Sequence, residues 1–414
     1  MNSSYEQKHP LYAASSTKRR KAMDLYEGGE RIEGNRAYLT RHTYESDKQY
    51  DIRASRATYR NFAAPIVDVF ASFINEGRPE RILPDALRPI EADADRYGMT
   101  ADAFFADVTR LAAAGGARFV IVDMEQKKGE TVAEDRASGR RLVPYFTSIS
   151  PDDVWDWGMD AKGLAWAVVH SEEMEHPAAF AAPLRYETLT VWTRDSWTRY
   201  RRPMKDKENT EYAIAEDGER RHGLGAVPLV PFLFEPTSPM TGLPATDDVL
   251  SLILRIYRRD SELDKMLFDR AVPPLNVGGV SQEHWDTFVV ASSNALMSTE
   301  PGGITAQYVE PSGTAFQAQA EALARDEASV REIALRMVRP QSAESKAIDK
   351  TQLDTQLASF ARRSGSAEAL CWKIAARWLG AKEDGIEAKY NESYDVGEAT
   401  VKIKGKEPGK KGQG

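Results

Sequence analysis

The chain has 414 residues, a formal net charge of −8 and one cysteine, and 42% of its residues are hydrophobic and 29% charged. At roughly 150 residues per domain this length predicts two or three domains, and the balanced composition excludes an intrinsically disordered chain. No apolar stretch approaches the roughly 20 residues of a membrane helix, and no apolar region follows the N-terminal charges, so neither a spanning segment nor a signal peptide is expected.

The single cysteine, Cys371, excludes a disulfide framework and any cysteine-rich metal cluster, and it indicates folding in a reducing cytoplasm. The acidic charge bears on nucleic-acid binding. Tight binding to DNA needs a basic surface that displaces counterions, and an excess of eight acidic charges disfavours it.

Helix and strand patterns alternate in the N-terminal half. The first fifty residues are polar and turn-rich, and we expect them to form an arm or a short helix with loops. Apolar residues at steps of three and four then predict one helix over residues 53–75. Thr100 is the expected N-cap of a second helix, which stops at Gly115-Gly116 and leads into a buried strand. Strands are predicted over 142–149, 166–170, 189–200 and 227–234.

Long helices dominate the C-terminal half. The first is predicted from Thr246 to Ala271, and the second from Thr314 to Arg339, where Pro340 ends it. The segment between them is rich in Gly, Ser and Val and has turn patterns, and strands are predicted in it at Phe288-Val289-Val290 and over Thr305 to Val309. A third helix is predicted from Lys346 to Leu379, with Gly380 as its stop and Gly365 as a kink or a close contact.

Catalytic and metal-binding motifs are sparse. The six histidines lack the spacing of a zinc site, and Cys371 lies between apolar neighbours on a helix. Asp152, Asp153 and Asp156 are clustered, but a turn leading into a packed strand explains them better than a metal site. We therefore predict a protein that is not an enzyme, with no catalytic residue, metal or cofactor. The alternative is a soluble α+β hydrolase or nucleotide-binding enzyme that uses Asp152, Asp153 and His222.

The arrangement of long helix, β-rich segment and long helix favours an oligomer. Such a hairpin projects from the body of a protein and needs neighbours to bury its second face. Copies packed side by side around an axis would provide them, so the pattern predicts a ring.

Several sequence phrases are typical of one protein family. They are His9-Pro10-Leu11-Tyr12, residues 53–62 (RASRATYRNF), residues 145–151 (YFTSISP) before Val154-Trp155-Asp156-Trp157, residues 222–232 (HGLGAVPLVPF) and Ser345-Lys346. In this order, and over nearly the whole chain, the sequence resembles the portal proteins, or head-to-tail connectors, of tailed bacteriophages. None of these phrases is a catalytic motif.

The resemblance implies an α+β portal fold with a defined order of parts. These are an N-terminal arm (1–50), an α+β wing domain (51–243), a first stem helix (244–272), a small β-rich clip (273–313), a second stem helix (314–338), a tunnel loop (339–345), a long wing helix (346–380), and a short or vestigial crown with a flexible basic tail (381–414). Many portals have a larger helical crown, and the short C-terminal remainder of this chain departs from that pattern.

The resemblance also implies a function and partners. Portals form rings, twelve-fold in the virion, at one capsid vertex, after assembly in the bacterial host cytoplasm. Double-stranded DNA passes through the ring during packaging and ejection, and the partners are terminase, a head-tail adaptor and the major capsid protein, with no membrane. An acidic ring suits this function, because strong phosphate binding would slow the DNA.

The implied site residues fall into three groups. The DNA-facing tunnel loop would contain Arg339, Pro340, Gln341, Ser342, Glu344, Ser345 and Lys346. Candidates for DNA-proximal stem positions are Arg325, Arg331 and Arg336, for which ion pairs with nearby carboxylates are an equally good interpretation. Packing between subunits in the stem would use Ile253, Ile256, Leu263, Leu323, Val330 and Ile333.

Overall fold

The computed structural model describes residues 4–125, 142–206, 211–271, 275–278, 305–308, 313–336 and 343–392. Helices and sheets are mixed in these segments, as expected for the α+β class. Contacts divide the chain into two compact units. Unit 1 comprises Met1–Arg20, Ile66–Ala245 and Ala334–Gly414, and unit 2 comprises Lys21–Pro65 and Thr246–Ile333. No helix in the described segments is long and apolar enough to cross a membrane.

The secondary structure follows the predicted alternation. The helices are α1 (Pro10–Glu27), α2 (Asp47–Arg56), α3 (Ala63–Ile74), α4 (Arg88–Ala92), α5 (Ala101–Gly115), α6 (Leu250–Ala271), α7 (Gly313–Arg336) and α8 (Ala343–Leu379). The strands are β1 (Glu80–Ile82), β2 (Ala117–Asp123), β3 (Tyr145–Ile149), β4 (Val154–Asp160), β5 (Gly163–Glu175), β6 (Leu184–Thr193), β7 (Ser196–Pro203), β8 (Ala213–Arg221), β9 (Leu229–Leu233), β10 (Glu235–Ser238), β11 (Thr241–Leu243), β12 (Leu275–Gly278), β13 (Thr305–Tyr308) and β14 (Glu387–Lys389).

Two antiparallel sheets form the centre of unit 1. One is a meander of five strands in the order β4-β5-β6-β7-β8, and the other has three strands in the order β3-β2-β9. Large aromatic side chains from alternating positions, including Trp155, Trp157, Trp192 and Trp197, are buried together in one core cluster. The period of two along these strands places one face of the sheet in that core.

Several predicted elements are confirmed by the structure. The hydroxyl of Thr100 accepts a hydrogen bond from the backbone N–H of Ala103 and caps α5, and Gly116 ends it in the left-handed conformation. The buried strand β2 follows directly. Gly380 stops α8 with a φ of +65°, and a Cβ atom at Gly365 would lie 2.6 Å from the carbonyl oxygen of Ala388, so the close contact is also confirmed.

The N-terminal segment contains a helix and loops, which is one of the two expected forms. Residues 10–27 form helix α1, and Leu25, Ile32 and Leu39 are fully buried. The segment is rich in polar residues. The sparse apolar side chains among them suffice to anchor the segment in the folded chain, because burial of each contributes roughly 2 kcal/mol.

The helix predicted over residues 53–75 is interrupted. Helix α2 ends at Arg56 and α3 begins at Ala63, because the side chain of Asn61 accepts a hydrogen bond from the backbone N–H of Ala64 and starts a new helix. Helix α2 itself begins earlier than predicted, at a reciprocal capping box between Ser46 and Gln49. That box is readable in the sequence as Ser-x-x-Gln.

The strand predicted over 189–200 is a hairpin. Strands β6 and β7 meet at a turn in which the Thr193 hydroxyl accepts a hydrogen bond from the backbone N–H of Ser196. The turn residues Arg194 and Asp195 are as polar as the alternate outward positions of a strand, so the periodicity did not reveal them. Strand β8 was not predicted.

A buried ion-pair network lies in unit 1. The carboxylate of Glu368 on α8 is fully buried and accepts hydrogen bonds from Arg81 on β1, from the indole of Trp372 at 3.0 Å and from the hydroxyl of Tyr390 at 2.6 Å. Arg81 also pairs with Asp102 in the first turn of α5. Burial raises the pKa of the Tyr390 phenol, so Tyr390 remains a donor to this carboxylate. The network therefore connects four separate segments of unit 1.

We expect Gly116→Ala to destabilise unit 1 by about 2–4 kcal/mol. Gly116 has a φ of +85°, and an added Cβ atom would overlap the backbone of Gly242. The control is Gly163→Ala, where φ is +98° but nothing lies within 4 Å of the Cβ position, so only conformational strain of about 1–2 kcal/mol remains. Urea denaturation of both variants measures the difference, and equal losses would contradict the steric contribution.

Candidate functional site

Helices α6 and α7, which lie where the stem is predicted, pack as an antiparallel pair. The Arg255 guanidinium on α6 donates to both carboxylate oxygens of Asp326 on α7, at 2.9 and 2.7 Å. One turn along α6, Arg259 donates to the same carboxylate at 2.6 Å and to the carbonyl oxygen of Ala322 at 3.2 Å. One further turn along α6, Glu262 accepts a hydrogen bond from Gln319 at 2.8 Å. Residues further towards the C-terminus of α6 thus contact residues further towards the N-terminus of α7, as in an antiparallel pair.

Two short strands continue the same chain reversal. Leu275 pairs with Tyr308 and Gly278 with Thr305, so β12 and β13 are antiparallel. Strand β13 lies within the predicted strand that began at Thr305. The other predicted strand of this segment, at Phe288-Val289-Val290, lies outside the described residues. The helix pair and the strand pair together form a long hairpin. Its helices lie where the resemblance predicts the stem, and its strands lie where the resemblance predicts the clip.

Helix α2 lies against α6 and belongs to the stem unit. Arg53 donates to the Ser261 hydroxyl at 3.1 Å, and Arg56 donates to Asp264 at 2.9 Å. Both partners advance by three residues, so α2 runs parallel to this part of α6. The sequence interpretation assigned these residues to the arm and the wing, because no local pattern encodes a pairing over 208 positions.

A buried ion pair stabilises this helix packing. The guanidinium of Arg53 contacts the carboxylate of Glu45 at 2.9 and 2.8 Å, and both side chains are almost completely buried. Hydrogen bonds from Arg53 lower the pKa of Glu45 from 4.5 to about 2. The ionised carboxylate is therefore the form that the fold stabilises.

We expect unit 2 to lose stability as the pH falls from 4.5 towards 2. A carboxylate whose folded pKa is lowered contributes stability above its unfolded pKa, and this contribution disappears as it is protonated in the folded state. Urea denaturation at stepped pH measures the effect. Glu45→Gln should be less stable at pH 7 and should lose much of this pH dependence, and an unchanged pH dependence in the variant would contradict the assignment to Glu45.

The structure corrects the predicted subunit contacts of the stem. Ile253, Ile256, Leu323 and Val330 are buried within a single chain, so they pack its own helices and offer no surface to a neighbouring copy. Leu263 and Ile333 are half-buried. The apolar spacing thus identified four buried and two half-buried residues, but spacing alone does not distinguish a face covered within the chain from one covered by another copy.

The structure describes the side chains of two of the three arginines predicted to lie near DNA. Arg325 and Arg331 are exposed on α7, and Arg331 donates to Glu327 one turn earlier at 3.0 Å, as the ion-pair interpretation expected. Arg336 ends α7, and its side chain is not described. Arg339, Pro340, Gln341 and Ser342 lie outside the described residues.

The boundary between tunnel loop and wing helix differs from the prediction. Helix α8 begins at Ala343, so the backbones of Glu344, Ser345 and Lys346 are helical. Ala343 and Glu344 are good helix formers, and a negative charge in the first turn suits the helix dipole. The predicted loop therefore loses its last three positions, 343–345, to the helix.

The residues of the enzymatic alternative do not converge in the structure. Arg19 donates to Asp152 at 3.1 Å, and Asp153 lies 3.5 Å from His170. His222 packs beside Trp192 and Trp378, and its backbone N–H donates to Asp195 in the β6–β7 turn. Within the described segments, no group of three or more His, Cys, Asp or Glu side chains could hold a metal ion.

Comparisons with known proteins give the following matches. A family model described as "Domain of unknown function (DUF4055)" matches residues 248–379, from the turn that leads into α6 to the last residue of α8. No curated protein matches the chain.

Two similar solved structures are of particle necks. One, described as "Neck of native GTA particle computed with C12 symmetry", is 14% identical with a TM-score of 0.39, and the match covers 91% of this chain and 89% of that chain. The other, "Neck of empty GTA particle computed with C6 symmetry", is 15% identical with a TM-score of 0.38, and the match covers 91% of this chain and 90% of that chain.

Proposed function

We propose that this protein is a phage portal protein without an active site of its own. It forms a ring of about twelve copies at one capsid vertex, conducts DNA during packaging and ejection, and binds terminase and then head-tail adaptor proteins. The single observation that carries the proposal is the antiparallel hairpin of α6 and α7 with β12 and β13 between them. It occupies the positions that the sequence resemblance assigns to stem and clip.

The ion pairs of the stem support this function physically. Asp326 is buried and holds two arginines of α6, so the helix pair is braced at one level by charge-assisted hydrogen bonds. A conduit that transmits force needs a stiff hairpin of this kind. These ion pairs also offset the positive charges of Arg255 and Arg259, which would otherwise attract DNA phosphates.

The net charge supports passage rather than retention of DNA. Each chain contributes −8, so a closed ring repels phosphate on average. The exposed Arg331 is paired with Glu327 on its own helix, which reduces its attraction for the duplex. Weak, salt-sensitive association with DNA is therefore expected.

The test is the mass of the purified chain in solution by mass photometry, followed by images of particles viewed end-on. We expect closed rings of about twelve copies. Their central hole should be wide enough for double-stranded DNA. It must therefore be wider than the major groove of the duplex, which is about 12 Å. A chain that stays monomeric or dimeric at every salt and protein concentration, alone and with its capsid protein, would contradict the proposal.

A further inference from the structure

The turn that follows β8 is held between two other elements of unit 1. It comprises residues 222–225 (His-Gly-Leu-Gly), here called the HGLG turn. On one side, the backbone N–H groups of His222 and Gly223 donate to the carbonyl oxygen of Asp195 in the β6–β7 turn, at 2.8 and 3.0 Å. On the other side, Arg377 near the end of α8 donates to the carbonyl oxygen of Leu224 at 3.5 Å. The HGLG turn therefore connects the five-stranded sheet to α8.

The side chain of His222 is part of this connection. Its ring lies next to the indoles of Trp192 on β6 and Trp378 on α8, with centroid distances of 6.0 and 5.7 Å. Trp378 is itself held in place, because its indole N–H donates to the carbonyl oxygen of Val122 on β2 at 2.9 Å. His222 thus contacts α8 through a residue that also holds α8 against the three-stranded sheet.

The hydrogen bonding of His222 determines which form of its ring fits. Its Nδ1 atom accepts a hydrogen bond from the backbone N–H of Leu224 at 3.3 Å. A backbone N–H can only donate, so Nδ1 carries a lone pair and the neutral ring has its proton on Nε2. Nε2 is buried and has no hydrogen-bond partner among the described residues. Protonation of Nδ1 would therefore replace the hydrogen bond from Leu224 by two opposed donors.

Several charged side chains lie on the elements around this ring. They are Arg194 and Asp195 in the β6–β7 turn, Arg220 and Arg221 on β8, and Lys373 and Arg377 on α8. Arg194 is paired with Asp160 and Arg377 with Glu383, while Arg220 lies over the ring of Trp197. The carboxylate of Asp195 favours the charged form of His222, so it opposes the effect of burial.

Burial is the largest influence on the pKa of His222. It lowers this pKa below the ordinary value of 6.5, although the carbonyl groups of Thr193 and Ser196 and the carboxylate of Asp195 raise it. The two indoles lie near the limit of about 6 Å for a cation–π interaction, so they offset little of the desolvation of a charged ring. The neutral ring is therefore the form that the fold stabilises. As the pH falls through 6.5 the unfolded chain takes up the proton first, so acidification weakens the contacts of His222.

We infer that His222 is a proton-sensitive latch between the HGLG turn and α8. At neutral pH the unprotonated ring accepts the hydrogen bond from Leu224 and packs against Trp378. Uptake of a proton at Nδ1 breaks that hydrogen bond, so the HGLG turn and the last turn of α8 separate by local opening. The effect begins below pH 6.5, well above the range in which Glu45 is protonated. The contacts belong to one chain, so the inference does not depend on the proposed ring.

Hydrogen exchange of the intact protein tests the latch. Amide exchange is followed by mass spectrometry at about pH 7.5 and about pH 5.5, on either side of the ordinary histidine pKa, and corrected for the effect of pH on the intrinsic rates. Peptides that cover the HGLG turn and the last turn of α8 should exchange about tenfold faster at the lower pH, because the opening is coupled to uptake of one proton. Peptides of β2 should not change. Equal protection of the turn at both pH values, or the same acceleration in β2, would overturn the inference.

His222→Asn separates the proton from the packing of the ring. An asparagine oxygen accepts a hydrogen bond from the backbone N–H two residues on, as Nδ1 of His222 does, but it does not titrate. The ratio between the exchange rates at the two pH values should therefore fall from about tenfold to about one. His176→Asn is the matched control, because His176 is exposed and its replacement should leave the ratio unchanged. A His222→Asn protein that keeps the wild-type ratio would assign the proton to another group and overturn the inference.

Discussion

Replacement of Glu368 by alanine is expected to destabilise the protein by about 3–5 kcal/mol, enough to unfold unit 1 at physiological temperature. The fully buried carboxylate accepts hydrogen bonds from Arg81, Trp372 and Tyr390. Its removal therefore leaves the buried Arg81 guanidinium with Asp102 as its one remaining charged partner among the residues that the structure describes. An uncompensated buried charge carries a large desolvation penalty. Chemical denaturation followed by tryptophan fluorescence measures the loss, since Trp372 is part of the network.

Glu392→Ala is the matched control. Glu392 pairs with Arg362 at the surface, where both side chains are about half exposed, so its loss should cost at most about 1 kcal/mol. Glu368→Gln should fall between the two, because an amide oxygen still accepts hydrogen bonds but carries no charge. A loss below 1 kcal/mol in Glu368→Ala would show that the network is not important for stability.

Ile253→Asp is expected to unfold the stem unit, at a cost of roughly 4 kcal/mol or more. Ile253 is fully buried on α6, and an aspartate there would be charged without a partner. The sequence pattern alone attributes this position to contacts between copies, which predicts a folded chain that fails to assemble. The structure predicts instead a destabilised monomer.

Ile52→Asp gives the control for this substitution in the same unit. Ile52 lies on α2 and is 41% exposed, so the same change of side chain should alter the free energy of unfolding by less than about 0.5 kcal/mol. Circular dichroism during thermal unfolding separates the two variants. A folded, fully stable Ile253→Asp monomer that cannot assemble would return this residue to the interface between copies.

Local signals account for the parts of the fold that could be predicted. Thr100 and the Gly115-Gly116 stop lie at the ends of α5 itself, and the apolar stripe of α6 lies within one helix. Such signals depend on neighbours within a few residues, so they can be read in the sequence. The turn between β6 and β7 was missed because the side chains that define it are no more polar than their surroundings.

The candidate site could be predicted less completely. The sequence located the two long helices α6 and α7, but it did not show what covers their apolar faces, because hydrophobic spacing shows that a face is buried and not what buries it. The role of Asp326 could not be predicted from the sequence either. Its sequence neighbours suggest a surface ion pair, whereas the structure buries its carboxylate against two arginines of α6.

The sequence by itself determined the α+β class, the order of the long helices around a β-rich segment, and the resemblance to portal proteins. Only the tertiary structure decided that α2 packs on α6, that Arg53 is buried against Glu45, and that Glu368 joins distant segments. Local structure depends on interactions over a few residues, which the order of amino acids displays directly. The partners of a buried charge depend on contacts between residues that lie up to 287 positions apart, and those contacts exist only in the folded chain.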